Sequence, residues 1–375
     1  MSGGGPVDGS VPPCGTLRRP SADRARVRGH PVGDQPVEQR APVGGFLPGF
    51  VVQLEGRPAR GRQAQGLHAR LRDGWVSRKA VAAVVLLQAH PGARDVAVGG
   101  GPTALLKAGF IDAIRKQGVK VREIELEPVD EYEGEIGRLF ELLRRTSKTV
   151  TQVIQDGSFP VILAGNCSTT AGVQAGVNAA RGAVQSCVWF DAHDDFNTPD
   201  VLASGYLDSM PVAMLAGLCW KTLLASIPNF KPLDLKKDFV HCGMRDVTEL
   251  ERSRVIEAGF PVIWGNVDKH VEFEAELLKT LQEKSLGETM VHLDLDSLDT
   301  SVGNVNKFSA PGGLLEGDLE GCISMIPRQT TPVSLTVASF DPSFDEGGKI
   351  PPVAIKGAVA FVKSLISEGV LESSQ

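Results

Sequence analysis

Val188-Trp189-Phe190-Asp191-Ala192-His193-Asp194-Asp195-Phe196-Asn197 turns abruptly from apolar to acidic. The apolar half reads as a buried strand that ends directly in ligand-type side chains. Alternate strand residues point the same way, so Asp191, His193 and Asp195 share one rim. That much charge at the edge of a core is costly unless a cation compensates it. The competing reading, a solvated acidic loop, sits poorly with Trp189 and Phe190. The same grammar recurs at Val291-His292-Leu293-Asp294-Leu295-Asp296-Ser297-Leu298-Asp299. Here Asp294 and Asp296 end an apolar strand at i and i+2, and Asp299 follows in the turn. His292 is in phase with both but deeper, and reads as a satisfied core or interface histidine. If the two strand ends meet, four carboxylates and an imidazole crowd one pocket. Like charges that close cannot all stay ionised without metal. An oxygen-rich set with one imidazole suits Mn²⁺, and carboxylates bridging two ions are natural.

Working outward, apolar runs alternate with helical periods along most of the chain. Strands are expected at Lys120–Leu126, Phe159–Leu163, Val184–Phe190, Phe239–Met244, Val262–Trp264, Val291–Leu295 and Leu335–Phe340. Helices are expected at Thr103–Gln117, Asp130–Ser147, Thr170–Arg181, Met210–Leu218, Ser253–Ala258, Phe273–Leu281, Leu314–Met325 and Val353–Leu371. Phe46–Leu54 is ambiguous but strand-like, and Ser77–His90 reads as an apolar helix. Apolar strands alternating with helices imply a mainly parallel sheet covered on both faces. In such folds the chemistry sits at the carboxyl ends of the strands. A third strand ends in Gly165-Asn166-Cys167-Ser168. Alone this is weak, since a buried inert cysteine is the commoner role and Ser168, Thr169 or Thr170 can cap a helix.

The composition agrees with a loop-rich soluble α/β enzyme: 375 residues, 42% hydrophobic, 22% charged, with 42 glycines and 24 prolines. A net charge of −6 lacks the basic stripe that nucleic acid would demand. Val81–Gln88 is far too short to span a bilayer, so no membrane role is expected. The six cysteines form no CxxC pair, which argues against a disulfide framework and a zinc knuckle. A reducing cytoplasm is the expected location. Residues 1–45, rich in Gly, Pro and Arg, read as a disordered extension preceding one domain over 46–375. Its arginines leave organelle targeting open, against which Asp8, Asp23 and Asp34 count.

Over residues 95–370 these segments resemble those of the ureohydrolases: arginase, agmatinase and formiminoglutamase. Asp191-Ala192-His193-Asp194-Asp195 matches the family's Asp-Ala-His-x-Asp in full, and Asp294, Asp296 and Asp299 match its Asp-x-Asp-x-x-Asp. Gly243-Met244-Arg245-Asp246 and Pro311–Leu314 match two further segments. Ser204–Pro211 matches Ser-Gly-Asn-x-His-Gly-x-Pro incompletely. Ala164–Ser168 stands where the family has Gly-Gly-Asp-His-Ser, so Cys167 replaces a ligand histidine. The resemblance implies a three-layer αβα sandwich with a mostly parallel eight-stranded sheet, and a trimer or hexamer. It implies two divalent ions, with Cys167, Asp191, Asp195 and Asp294 on one and Asp191, His193, Asp294 and Asp296 on the other. Mn²⁺ is the expected metal, with Zn²⁺ or Fe²⁺ as the alternatives a soft sulfur ligand opens. Two ions about 3.5–4 Å apart would activate water for attack on a guanidino or amidine carbon, with Asp296 handling the proton and urea leaving a guanidino substrate.

Three departures bear on that scheme. Cys167 is the first. Asp208 falls where arginases keep a histidine that shuttles protons, and it either takes over that role or is a surface carboxylate. Ser339 falls where arginases place a glutamate against the guanidinium, which removes a bidentate partner. Asn197 and Ser204 match residues that hold the amino-acid end of arginine. Tyr206 replaces an asparagine and Thr248 a substrate-side aspartate. Glu251 aligns with a substrate-side carboxylate or is a helix-start acid. The expected substrate is thus a small cationic guanidino or amidine compound: arginine, agmatine, guanidinobutyrate, hydroxyarginine or a formimino compound. The alternative is a catalytically impaired ureohydrolase fold used for binding or regulation.

Overall fold

A computed structural model describes residues 81–90, 93–129, 134–182 and 185–374. All described residues fall in one compact unit of the chain. The expectations for residues 1–45 and for Phe46–Leu54 lie outside the described residues.

Eight strands build one sheet: β1 Val81–Leu87, β2 Lys120–Glu125, β3 Ser158–Ala164, β4 Ser186–Phe190, β5 Phe239–Met244, β6 Val262–Trp264, β7 Glu288–Asp294 and β8 Thr331–Ala338. Their order is β2-β1-β3-β8-β7-β4-β5-β6, and every pairing is parallel. The expected αβα sandwich with an eight-stranded sheet is the observed one. β1 corrects the reading of Ser77–His90 as a helix. Val81-Ala-Ala-Val-Val-Leu-Leu87 is continuously apolar, so its periodicity does not separate strand from helix. Burial on both faces of a parallel sheet selects the strand.

The helices are α1 Gly101–Lys107, α2 Phe110–Arg115, α3 Glu135–Gln155, α4 Thr170–Arg181, α5 Glu249–Ala258, α6 Phe273–Lys284, α7 Glu316–Gln329 and α8 Ile350–Ser367, with short helical turns between β4 and β5. The single helix expected over Thr103–Gln117 is broken in two by Gly109, whose φ of 92° suits only glycine well. Alternation along the strands separates the two layers. Val84, Val161, Leu163, Val188, Val291 and Leu335 pack against α1, α2, α6, α7 and α8. Val85, Ile162, Trp189, Phe239 and Met290 pack against α3, α4 and α5. α8 is long and apolar enough to cross a membrane, yet its Phe361, Val362 and Leu365 belong to the first of these cores. Register places Thr336, His292, Trp189 and His241 in one row across β8, β7, β4 and β5. That row lies one layer beneath the carboxyl ends of the central strands.

Candidate metal centre

The chain reverses direction across the sheet around β3-β8-β7-β4, a place where open α/β sheets leave a crevice. A cavity opens there, lined by His193, Asp195, Asp208, Asp294, Asp296 and Ser339 among others. Cys167 starts a short helical turn after β3, Asp191 to Asp195 follow β4, Asp294 ends β7, and Ser339 follows β8. Their donor atoms form three overlapping groups: Cys167, Asp191 and Asp195; Asp191, His193 and Asp296; and Cys167, His292 and Asp294. The six residues implied as ligands therefore meet at one place, with Cys167 and Asp191 each shared by two groups.

The local bonds are specific. Asp191 accepts from Trp189 Nε1 at 3.0 Å and from the His193 backbone N–H at 2.8 Å. His193 Nδ1 lies 3.3 Å from Asp191 and 3.5 Å from Asp296, and Nε2 lies 3.4 Å from Asp246. Cys167 Sγ donates to Asp294 Oδ2 at 2.8 Å. Asp294 Oδ1 accepts the backbone N–H of Asp296 at 2.8 Å. Asp195 and Ser339 both adopt positive φ, 48° and 67°. Such strain in non-glycine residues clusters where function demands a fixed geometry.

Four carboxylates, Asp191, Asp195, Asp294 and Asp296, are all at most 6% exposed. Burial, reinforced by Asp191, Asp208 and Asp294, pushes the Asp195 carboxyl well above its usual range. Burial with Asp296 and Asp191 does the same to Asp294, and burial with Asp296 raises Asp191. Burial also opposes ionisation of Asp296, but the charge and hydrogen bond of His193, with Asn306 and Asp294, outweigh it and hold this carboxyl low. Burial disfavours the charge of His193, but Asp296, Asp191 and Asp246 outweigh it and raise its pKa well above the usual imidazole range. Asp195 Oδ2 is buried without a hydrogen-bond partner. This is a set of buried anions with too little positive charge, and hard oxygen donors beside one imidazole and one sulfur fit divalent cations.

The other expected site residues are placed as follows. Asp208 is 9% exposed and ties down the Cys167 turn, accepting from Asn166 Nδ2 at 2.5 Å and the Ser168 N–H at 2.9 Å. Ser339 Oγ lies 3.1 Å from Cys167 Sγ. Asn197 lines the cavity but bonds to Glu251 and Arg254 at 2.9 and 2.6 Å. Thr248 and Glu251 form a reciprocal capping box at the start of α5, and Glu251 also reaches the cavity. Ser204 is exposed, accepts the Tyr206 N–H at 3.3 Å and does not line the cavity. Asp299 accepts the N–H groups of Ser301, Gly312 and Gly313, so it shapes the turn.

Four residues contribute in ways the sequence reading does not assign: Asn306 and Phe308, which it does not name, and Arg245 and Tyr206, which it names only as motif positions. Asn306 Nδ2 donates to Asp296 Oδ2 at 3.1 Å and to the Ser339 carbonyl at 2.9 Å. Arg245 donates to the carbonyls of Gly243, Asp296, Ser297, Leu298, Ala310 and Pro311, and so laces the Asp296 turn to β5. Phe308 and Tyr206, with ring centroids 5.7 Å apart, wall the mouth beside Lys307. A lone asparagine in a loop carries no periodic signal that would have found it.

A family model described as the arginase family matches residues 87–363. Among curated relatives, the chain is 27% identical over 281 residues to an arginase of Bacillus caldovelox, covering 72% of this chain and 92% of that one. It is 27% identical over 267 residues to an arginase of Agrobacterium fabrum, covering 66% and 80%. Among solved structures, an Entamoeba histolytica arginase in complex with L-ornithine superposes with a TM-score of 0.66 at 19% identity, covering 76% of this chain and 98% of that one. Proclavaminate amidino hydrolase of Streptomyces clavuligerus does so with a TM-score of 0.55 at 18% identity, covering 78% and 93%. The structural likenesses speak for the fold. With a family model spanning most of the sequence and clustered metal-ligand side chains in the crevice the fold creates, the chain belongs to the arginase family.

Proposed function

We propose that this chain is a two-metal hydrolase of a small cationic guanidino or amidine compound, releasing urea when the substrate is a guanidino compound. The observation that carries this reading is the overlap of the three donor groups at the ends of β3, β4 and β7. Cys167, Asp191, Asp195 and Asp294 would hold one divalent ion, and Asp191, His193, Asp294 and Asp296 the other. Mn²⁺ is proposed, with Zn²⁺ or Fe²⁺ as alternatives on the Cys167 side. When bound, the pair supplies a water acidified to near neutrality and a positive field for the transition state.

The chain's own residues do the rest. Asp296 is the proposed proton acceptor, and Asn306 fixes its Oδ2. Asp208 braces the Cys167 turn and faces the cavity, where its negative charge favours a cationic substrate. Asn197, Ser204, Thr248, Glu251 and Ser339 are the proposed substrate-side residues. Of these, Asn197, Glu251 and Ser339 line the cavity and sit closest to that role. Phe308 and Tyr206 narrow the mouth and exclude water from the reacting carbon. A homo-oligomer and a cytoplasmic location complete the proposal.

A second reading, a binding or regulatory protein on this fold, is favoured by one observation. Asn197, Glu251 and Thr248 are already bonded to one another or to Arg254. Metal analysis of the purified chain, with urea and ammonia release screened over guanidino and formimino compounds, separates the two. At least one bound ion per chain with product from one compound supports the hydrolase. Less than one ion per chain and no product would sink it.

A further inference from the structure

Cys167 Sγ is the hub of a buried cluster that reaches below the cavity. His292 Nε2 and Ser339 Oγ each lie 3.1 Å from it. The other ring nitrogen of His292, Nδ1, meets Thr170 Oγ1 at 2.8 Å. The ring is stacked on Trp189, with centroids 3.6 Å apart and planes 17° from parallel. His292, Trp189, Thr170 and Cys167 are all at most 1% exposed. An imidazole fixed at both nitrogens and on one face has a single orientation. A neutral imidazole carries one N–H. With the Thr170 hydroxyl donating to Nδ1, that N–H sits on Nε2 and points at the sulfur. The Ser339 hydroxyl lies at the same distance from that atom. Contacts from His292 and Ser339 hold the sulfur from two sides and so fix where its lone pairs point.

Cys167 belongs to one donor group with Asp191 and Asp195 and to another with His292 and Asp294. The sulfur is thus the donor common to the His292 group and to the Asp191 and Asp195 group. Trp189 serves both halves, since its Nε1–H holds Asp191 and its face holds His292.

We propose that His292 and Ser339 are positioning residues that aim the Cys167 sulfur at the metal, with Thr170 setting the His292 tautomer, so that this position selects a thiophilic divalent ion. The proposal rests on the two-ion reading above and names which position differs and why. Partners behind a ligand orient it, and their loss typically weakens metal affinity by about 10–100-fold.

Titration of the metal-free full chain with Co²⁺ tests it. Wild type should show a sulfur-to-cobalt charge-transfer band that Cys167→Ser abolishes. His292→Phe should weaken the band and lower Co²⁺ affinity about 10–100-fold. His292→Gln, whose amide N–H can reach the sulfur, should restore most of both. Ser339→Ala, which leaves the buried row intact, should weaken both to a lesser degree. Unchanged band and affinity in both His292→Phe and Ser339→Ala overturn the proposal, as does bound Co²⁺ without the band in wild type. Wild type that binds no Co²⁺, Zn²⁺ or Mn²⁺ at all overturns the two-ion reading itself.

Discussion

At Cys167 a soft sulfur stands where the family resemblance places an imidazole. Cys167→His is expected to raise the Mn²⁺ to Zn²⁺ ratio of protein equilibrated with both ions, read by elemental analysis. An unchanged ratio and stoichiometry would mean that the sulfur is a bystander. Thr248 and Glu251 bond to each other at the start of α5, so Thr248→Ala should cost about 1 kcal/mol in urea unfolding, as cap losses do. A tenfold rise in KM with stability intact would instead put Thr248 on the substrate. His241 is fully buried, and burial pushes its pKa down to about 3. The folded value lies below the unfolded one of about 6.5. Its contribution to stability is therefore complete above about pH 6.5 and is lost as pH falls toward 3. In urea unfolding across that window, His241→Phe should flatten the acid decline by about 1.4 kcal/mol per pH unit. A slope equal to that of wild type would contradict a buried neutral imidazole. Candidate ligands were legible at this scale because Asp191, His193 and Asp195 follow an apolar strand directly, although β4 ends at Phe190 and the turn beyond it, not alternation, gathers them. Asn306 and Asn166, which donate to Asp296 and Asp208, were not, because a hydrogen bond between distant loops leaves no local pattern.

Among the elements, β1 and α4 show what periodicity can and cannot decide. Val81–Leu87 carries no period, and only the neighbours β2 and β3 make it a strand. α4, by contrast, has the bounds expected of it, Thr170–Arg181, and its Gly172 and Gly176 let it approach α3 closely. A Cβ on Gly176 would lie 2.6 Å from the Ser147 carbonyl oxygen and 2.8 Å from Val150 Cβ, both on α3. Gly176→Leu should force the two helices apart and lower stability by at least about 1–3 kcal/mol, measured by thermal unfolding. A melting temperature unchanged from wild type would mean the helices do not touch there. Arg245 joins β5 to the Asp296 turn through its planar fork, which lysine cannot reproduce. Several carbonyls would be left unsatisfied, each at about 1–3 kcal/mol. Arg245→Lys should therefore loosen metal binding as well as stability, and a variant that keeps wild-type metal affinity would count against that coupling.

For the whole molecule, the buried carboxylates make metal part of the fold's stability. Chelator treatment should lower the melting temperature and refilling should restore it. At free ion 100-fold above Kd the gain is about 2.7 kcal/mol per site, and a melting temperature indifferent to metal would contradict the site. The sequence alone determined the fold class, the rims that carry ligands and the order of the motifs. Those properties follow from alternation and apolar runs, which are local and survive in one dimension. Tertiary structure decided which rims meet. Cys167 and Asp294 are 127 residues apart, and Cys167 and Ser339 are 172 apart. They touch because β8 and β7 insert between β3 and β4. The same insertion placed His292, which had read as a satisfied core residue, directly behind the sulfur of Cys167. Strand order depends on how helices cover both faces at once, and no single segment encodes it.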